Sequence, residues 1–191
     1  MMAHRETLGG WRWQSIVGTM FPLLVVLSAV VLVAGIALED ARAFLTEYGV
    51  LAVMVPTMIG TGGNLGAILA SRLTTRFHLG TTALDPRDRV LWANVAAVFA
   101  LAGTVFTALA VGVWGMGRFV GSGLGLGTVL VIALTSGTAI AVIAVAFSLG
   151  TAYVSYRLGI DPDDTTIPIV TNVVDVFGMV IFLGVARWVL A

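Results

Sequence analysis

The chain has 191 residues, 59% of them hydrophobic and 10% charged, and its ten arginines and ten acids leave no formal net charge. That balance excludes an ordinary soluble domain, and no nucleic-acid partner is expected. The absence of cysteine excludes disulfides, thiolate metal sites and cysteine nucleophiles.

A bilayer core takes about 20 apolar residues per helix. By that criterion five spans are predicted, at Gln14–Leu38, Tyr48–Leu69, Val90–Val113, Leu124–Tyr153 and Pro168–Leu190. The expected fold is therefore an all-α integral membrane protein, one transmembrane domain over residues 1–191. The first apolar stretch is longer than a signal-peptide core and lacks a clean small-residue cleavage site, so it is expected to stay as a helix. The longest predicted loop, Ala70 to Arg89, is too short to fold alone, and no cytosolic regulatory module is expected. Arginines fix the orientation. Arg5, Arg12, Arg72, Arg76, Arg87, Arg89 and Arg157 fall on one side, against Arg42, Arg118 and Arg187 on the other, which predicts N-terminus inside and C-terminus outside. An odd number of spans argues against a complete inverted duplication, so any symmetry has to come from a second subunit.

The second span carries Pro56 followed by Gly60, Gly62, Gly63 and Gly66, a pattern that predicts a broken helix between Thr57 and Leu65. Irregular backbone at membrane depth is tolerated inside protein or along a wet cavity. The competing reading is a close-packing seam, since Gly62 and Gly66 have GxxxG spacing. Asn64, in the same run, needs a partner and has a carbonyl to offer a hydrated cation. Between the third and fourth spans, Gly121–Gly127 (GSGLGLG) lacks the Lys-Ser/Thr ending of a phosphate loop and is read as a membrane-flanking turn.

In the fifth span Thr165 or Thr166 is the expected N-cap, with Pro168 in the first turn and Asp163 and Asp164 near the positive end of the dipole. Asp161, Asp163 and Asp164 read as a solvated turn with capping duties. Asp175 then falls about seven residues in, near 10 Å from that helix end. An acid at the centre of a membrane helix costs roughly 3 kcal/mol, so such residues usually face a bundle interior or a water-filled path. Thr171, Asp175 and Gly178 share one face at i, i+4, i+7 spacing, with Asn172 beside it. The alternative for Asp175 is a neutral acid hydrogen-bonded to Asn64, Asn94 or a serine of the fourth span.

Enzyme chemistry fits this inventory badly, and no enzyme activity is expected. Intramembrane aspartyl proteolysis needs two carboxylates in one site, His4 and His78 lie outside the spans, and no cluster of zinc ligands is present. A hard-cation path fits better: Mg²⁺ prefers oxygen ligands, keeps several waters and is commonly held by one or two carboxylates. In a two-fold dimer Asp175 would arrive from both subunits. No resident cofactor is expected, the ion being cargo. A reading from a different class is a non-conducting membrane scaffold that packs against a transporter through its glycine faces.

The stretch PTMIGTGGNLGAILASRL, continuing through TTRFHLG, and the stretch DPDDTTIPIVTNVVDVFG resemble the two signature regions of the MgtE and solute carrier family 41 magnesium transporters. The resemblance implies a homodimeric pore of ten helices in the cell membrane, conducting Mg²⁺ or related divalent ions. It makes Asp175 the intramembrane ion-binding aspartate and Gly63 and Asn64 the glycine–asparagine pair of the second span. The expected metal path is thus Asp175 with Asn64, Thr171, Asn172, Gly63 and Gly60. Bacterial MgtE members carry a large cytosolic region with paired CBS modules, whereas about thirteen residues precede the first span here. The chain is accordingly expected to act as a half that dimerises with itself or with a sister half.

Overall fold

The structure is a computed structural model, and it describes residues 13–80, 87–120 and 124–191. Arg5, Arg12 and Gly121 to Gly123, invoked above for orientation and for the glycine turn, lie outside the described residues. The described residues form six helices: α1 (Trp13–Asp40), α2 (Arg42–Glu47), α3 (Gly49–His78), α4 (Arg89–Val120), α5 (Leu126–Leu158) and α6 (Pro162–Leu190). Five of them are long and apolar enough to cross a membrane. The sixth, α2, is a short link between α1 and α3.

α3, α5 and α6 pack on one another in the middle of the bundle, α4 lies against α5 and α3, and α1 lies against α6. About half of α3 and of α5 is buried while α1 is almost wholly exposed, which puts the lipid-like face of the sequence on α1. The core is built from Met54, Met58, Leu69, Ile132, Phe106 and Phe182, all essentially inaccessible. Without a hydrophobic force between helices in lipid, such association depends on close packing.

Two local expectations are corrected. α3 is not broken: it runs unbroken from Gly49 to His78 through Pro56 and all four glycines. Pro56 removes the one hydrogen bond that would reach the Ala52 carbonyl, and beside it the Thr57 hydroxyl donates to the carbonyls of Val53 (3.1 Å) and Met54 (2.9 Å). In an apolar surround the remaining backbone bonds are too valuable to give up, so the helix carries its proline rather than opening at it.

The other correction concerns the start of α6, which lies at Pro162 and not near Thr165. α5 ends at Gly159 in the left-handed conformation (φ 67°), and Ile160 N–H returns to the Ser155 carbonyl at 3.0 Å, so the chain reverses within three residues. Pro162 then occupies the first helical position, where its missing N–H costs nothing. Thr165 is inside the helix with its hydroxyl 2.7 Å from that of Ser155 on α5, and Pro168 lies a further turn in. Asp175 is consequently about 20 Å from the start of its helix, twice the distance expected.

Candidate functional site

The α3 glycines divide by what faces them. A Cβ at Gly62 would collide with Ile140 of α5 and stand 3.0 Å from Val174 of α6; one at Gly66 would collide with Val170 and stand 3.4 Å from Ala144. Ser148 of α5 donates its hydroxyl to the Gly66 carbonyl at 3.0 Å. Gly62 and Gly66 are therefore the packing seam of the GxxxG reading. Gly63 faces Thr171 of α6, whose atoms begin 3.8 Å from a Cβ there. Gly60 meets nothing within 4 Å.

Gly60 is open because it lines a cavity of about 660 Å³. The cavity starts at Glu39 and Arg42, where α1 passes into α2, runs down the Pro56–Gly60 side of α3, and ends on α6 at Asp175 and Met179. Most of its wall is aliphatic. Asp175 is half-buried there and receives no hydrogen bond or ion pair from any described residue. Of the partners considered for a neutral acid, Ser148 is engaged with Gly66, Ser136 with the Ile132 carbonyl at 2.5 Å, and Asn94 with Arg72 Nη1 (3.2 Å) and the Val90 carbonyl (2.8 Å), and Asn64 makes no hydrogen bond to Asp175.

The other expected path residues are placed unevenly. Thr171 is half-buried at the α3 interface, but its hydroxyl donates to the Ile167 (3.0 Å) and Pro168 (3.1 Å) carbonyls of its own helix. Asn172 Nδ2 also donates to Pro168 O, at 2.8 Å, which leaves its amide oxygen as the group with capacity to spare. Asn64 is exposed one turn beyond Gly60 on the same face of α3 and does not line the cavity. Asp175 and Gly60 thus line one cavity and Gly63 faces Thr171 across the α3–α6 interface, while Asn64 is in neither group. Among the described residues no three acidic or imidazole side chains converge on a metal site, so a cation at Asp175 would keep most of its water.

Sequence reasoning missed the far end of the cavity. In the sequence Arg42 counts only as an orienting charge, and the one signal pointing to it and to Glu39 is their position directly after the first span. Pro56 reads in the sequence as a break, and in the fold it is part of the cavity wall.

The two ends of the bundle are tied by ion pairs. At the α3–α4 end, Arg76 bonds Asp88, and Asp88 caps α4 by accepting the Val90 N–H at 2.8 Å. That backbone bond first, and the Arg76 bond second, hold the Asp88 carboxyl below the usual carboxylate range. His78 of α3 meets Asp161 at 3.3 Å, and Phe77 stacks on Tyr156 at 4.7 Å. At the α2 end, Arg187 reaches Asp40 at 3.7 Å.

The fold is that of a multi-pass helical membrane protein, and a cavity in it is lined by one carboxylate, Asp175, that no described residue partners. Residues 55–185 match the MgtE family model, described as a divalent cation transporter. The chain is 30% identical over 172 residues to the magnesium transporter MgtE of Thermus thermophilus, an alignment covering 87% of this chain and 35% of that protein. It spans about a third of the length of that curated relative. The chain belongs to the MgtE family of divalent cation transporters.

Proposed function

We propose that the chain forms the membrane pathway for a divalent cation, Mg²⁺ in the first place, at the axis of a dimer in the cell membrane. The supporting observation is Asp175, a carboxylate near the middle of α6 with no partner among the described residues and a cavity in front of it. An acid held at that depth without a donor needs a cation or water to offset its desolvation, and a divalent ion that keeps its hydration shell meets both needs.

The dimer supplies a second Asp175 and covers the face of α3 that the single chain leaves open. That face is polar where lipid would disfavour it: Thr57, Gly60, Thr61, Asn64 and Ser71 recur along one side, exposed or half-exposed. Asn64 and Asn172 offer amide oxygens to the ion's water shell, and the Gly60 and Gly63 backbone lets that shell pass close to α3. In the orientation proposed from the arginines, the α2 end of the cavity faces outside. The partner is a second copy or a sister half.

The test is Mg²⁺ uptake into proteoliposomes. Asp175→Asn should lose at least about ten-fold in rate, the equivalent of 1.4 kcal/mol in a barrier; uptake equal to wild type removes Asp175 from the mechanism. In parallel, Mg²⁺ at 100 times its Kd should stabilise the wild type by about 2.7 kcal/mol. Asp175→Asn should abolish that shift, and a flat melting series across Mg²⁺, Mn²⁺, Ca²⁺ and Na⁺ would favour a non-conducting scaffold.

A further inference from the structure

Three charged residues line the cavity, and only one of them is deep. Glu39 and Arg42 stand at the opposite end, where the Arg42 Nη1 donates to Glu39 Oε1 at 3.2 Å with both side chains about three-quarters exposed (76% and 72%). The neighbouring acids do not share this position. Asp40 is drawn to Arg187, Glu47 lies beside Tyr48, where its charge raises the phenol above its usual range, and neither lines the cavity. The cavity mouth therefore presents a single carboxylate, and a guanidinium already occupies it.

The backbone around the pair is well anchored while the pair itself is loose. Ala41 and Leu45 are buried, and the Thr46 hydroxyl closes on the Arg42 carbonyl at 2.8 Å, so α2 holds the Arg42 backbone at the rim. An exposed ion pair of this kind contributes little to stability. The guanidinium can swing off Glu39 without disturbing the helices. What it leaves behind is a carboxylate at the head of a cavity with room for about twenty waters at 30 Å³ each, ample for a cation with a full hydration shell.

We propose that Glu39 is the docking carboxylate for the incoming hydrated divalent cation and that Arg42 is a built-in competitor which that cation must displace. The pair then sets the concentration at which the path fills, and Asp175 governs passage further in. The inference rests on the reading of Asp175 as the deeper station of the same ion.

The experiment is external-Mg²⁺ dependence of uptake by the full chain in proteoliposomes, with Mn²⁺ as a second cation. From one unit of charge near a divalent ion in water, Glu39→Gln should raise the half-saturating concentration about five-fold and Arg42→Gln should lower it by a similar factor. Maximal rates should stay at wild type, Arg42→Lys should behave as wild type, and the Arg42→Gln gain should shrink as monovalent salt is raised. A purely structural pair would move melting temperature and maximal rate instead of half-saturation. Half-saturation within two-fold of wild type in both variants, with Asp175→Asn inactive, overturns the role of the mouth alone. Full uptake by Asp175→Asn overturns the deeper reading, and the two mouth variants still decide the role of Glu39 and Arg42 by the direction of their shifts.

Discussion

Two sides of α3, a few residues apart, have opposite surroundings. At Gly62 and Gly66 the backbone is pressed against Ile140, Val174 and Val170, and even one added carbon finds no space. At Gly60 the same helix has nothing within 4 Å and forms the wall of a cavity. Glycine is the residue in both places, yet in the first it permits contact and in the second it preserves a gap. Composition alone is thus a poor guide to whether a glycine-rich membrane helix packs or lines a path; the neighbour across each position decides.

Substitution should separate the two sides cleanly. Gly62→Leu and Gly66→Leu force a side chain into the α5–α6 seam and should each lower stability in detergent by about 1–3 kcal/mol or more, as overpacking does. A melting temperature unchanged in either variant would mean that α3 and α5 do not meet as described. Gly60→Ala should act in the other direction, raising stability by up to about 1 kcal/mol because a helix-interior glycine is replaced where nothing clashes. In uptake assays the same Gly60→Ala should be slower than wild type, since it narrows the proposed path, and a variant both more stable and fully active would place the path elsewhere. Asn64→Leu extends the contrast one turn along the Gly60 face: melting should hold near the wild-type value while uptake falls several-fold, consistent with an amide that serves passage more than packing.

Much of this arrangement was legible in the residues. The helical membrane class follows from apolar run lengths, and Asp175 stands out on cost alone, because an isolated acid in an apolar helix has few explanations. The GxxxG spacing of Gly62 and Gly66 stated the packing outcome beside the wrong one. What misled was local propensity. Pro56 and its glycines favour a break in water, but within an apolar bundle the hydrogen-bonded helix wins over propensity. The start of α6 was misplaced because Thr165 and Thr166 look like caps, while Gly159 reverses the chain early enough for Pro162 to begin the helix. Glu39 and Arg42 do not stand out in the sequence because nothing in a linear charge count shows that the α1–α2 corner shares a cavity with Pro56 and Gly60 of α3.

The smallest expected effect tests the seam at its one polar contact. Ser148 is fully buried, and its hydroxyl crosses from α5 to the Gly66 carbonyl at 3.0 Å. That carbonyl also lies within the hydrogen-bonded ladder of α3, so losing the serine strands no backbone group, and alanine fits the space the serine leaves. Interhelical hydrogen bonds of this type in membrane proteins average about 0.6 kcal/mol, and Ser148→Ala should cost that much in a denaturation or melting series. A loss several times larger would mean that the bond, and not the fit of Gly62 and Gly66 against their neighbours, holds α3 to α5. A negligible loss together with a severe Gly66→Leu phenotype would assign the seam to packing, leaving the polar capacity of the bundle for the Asp175 side.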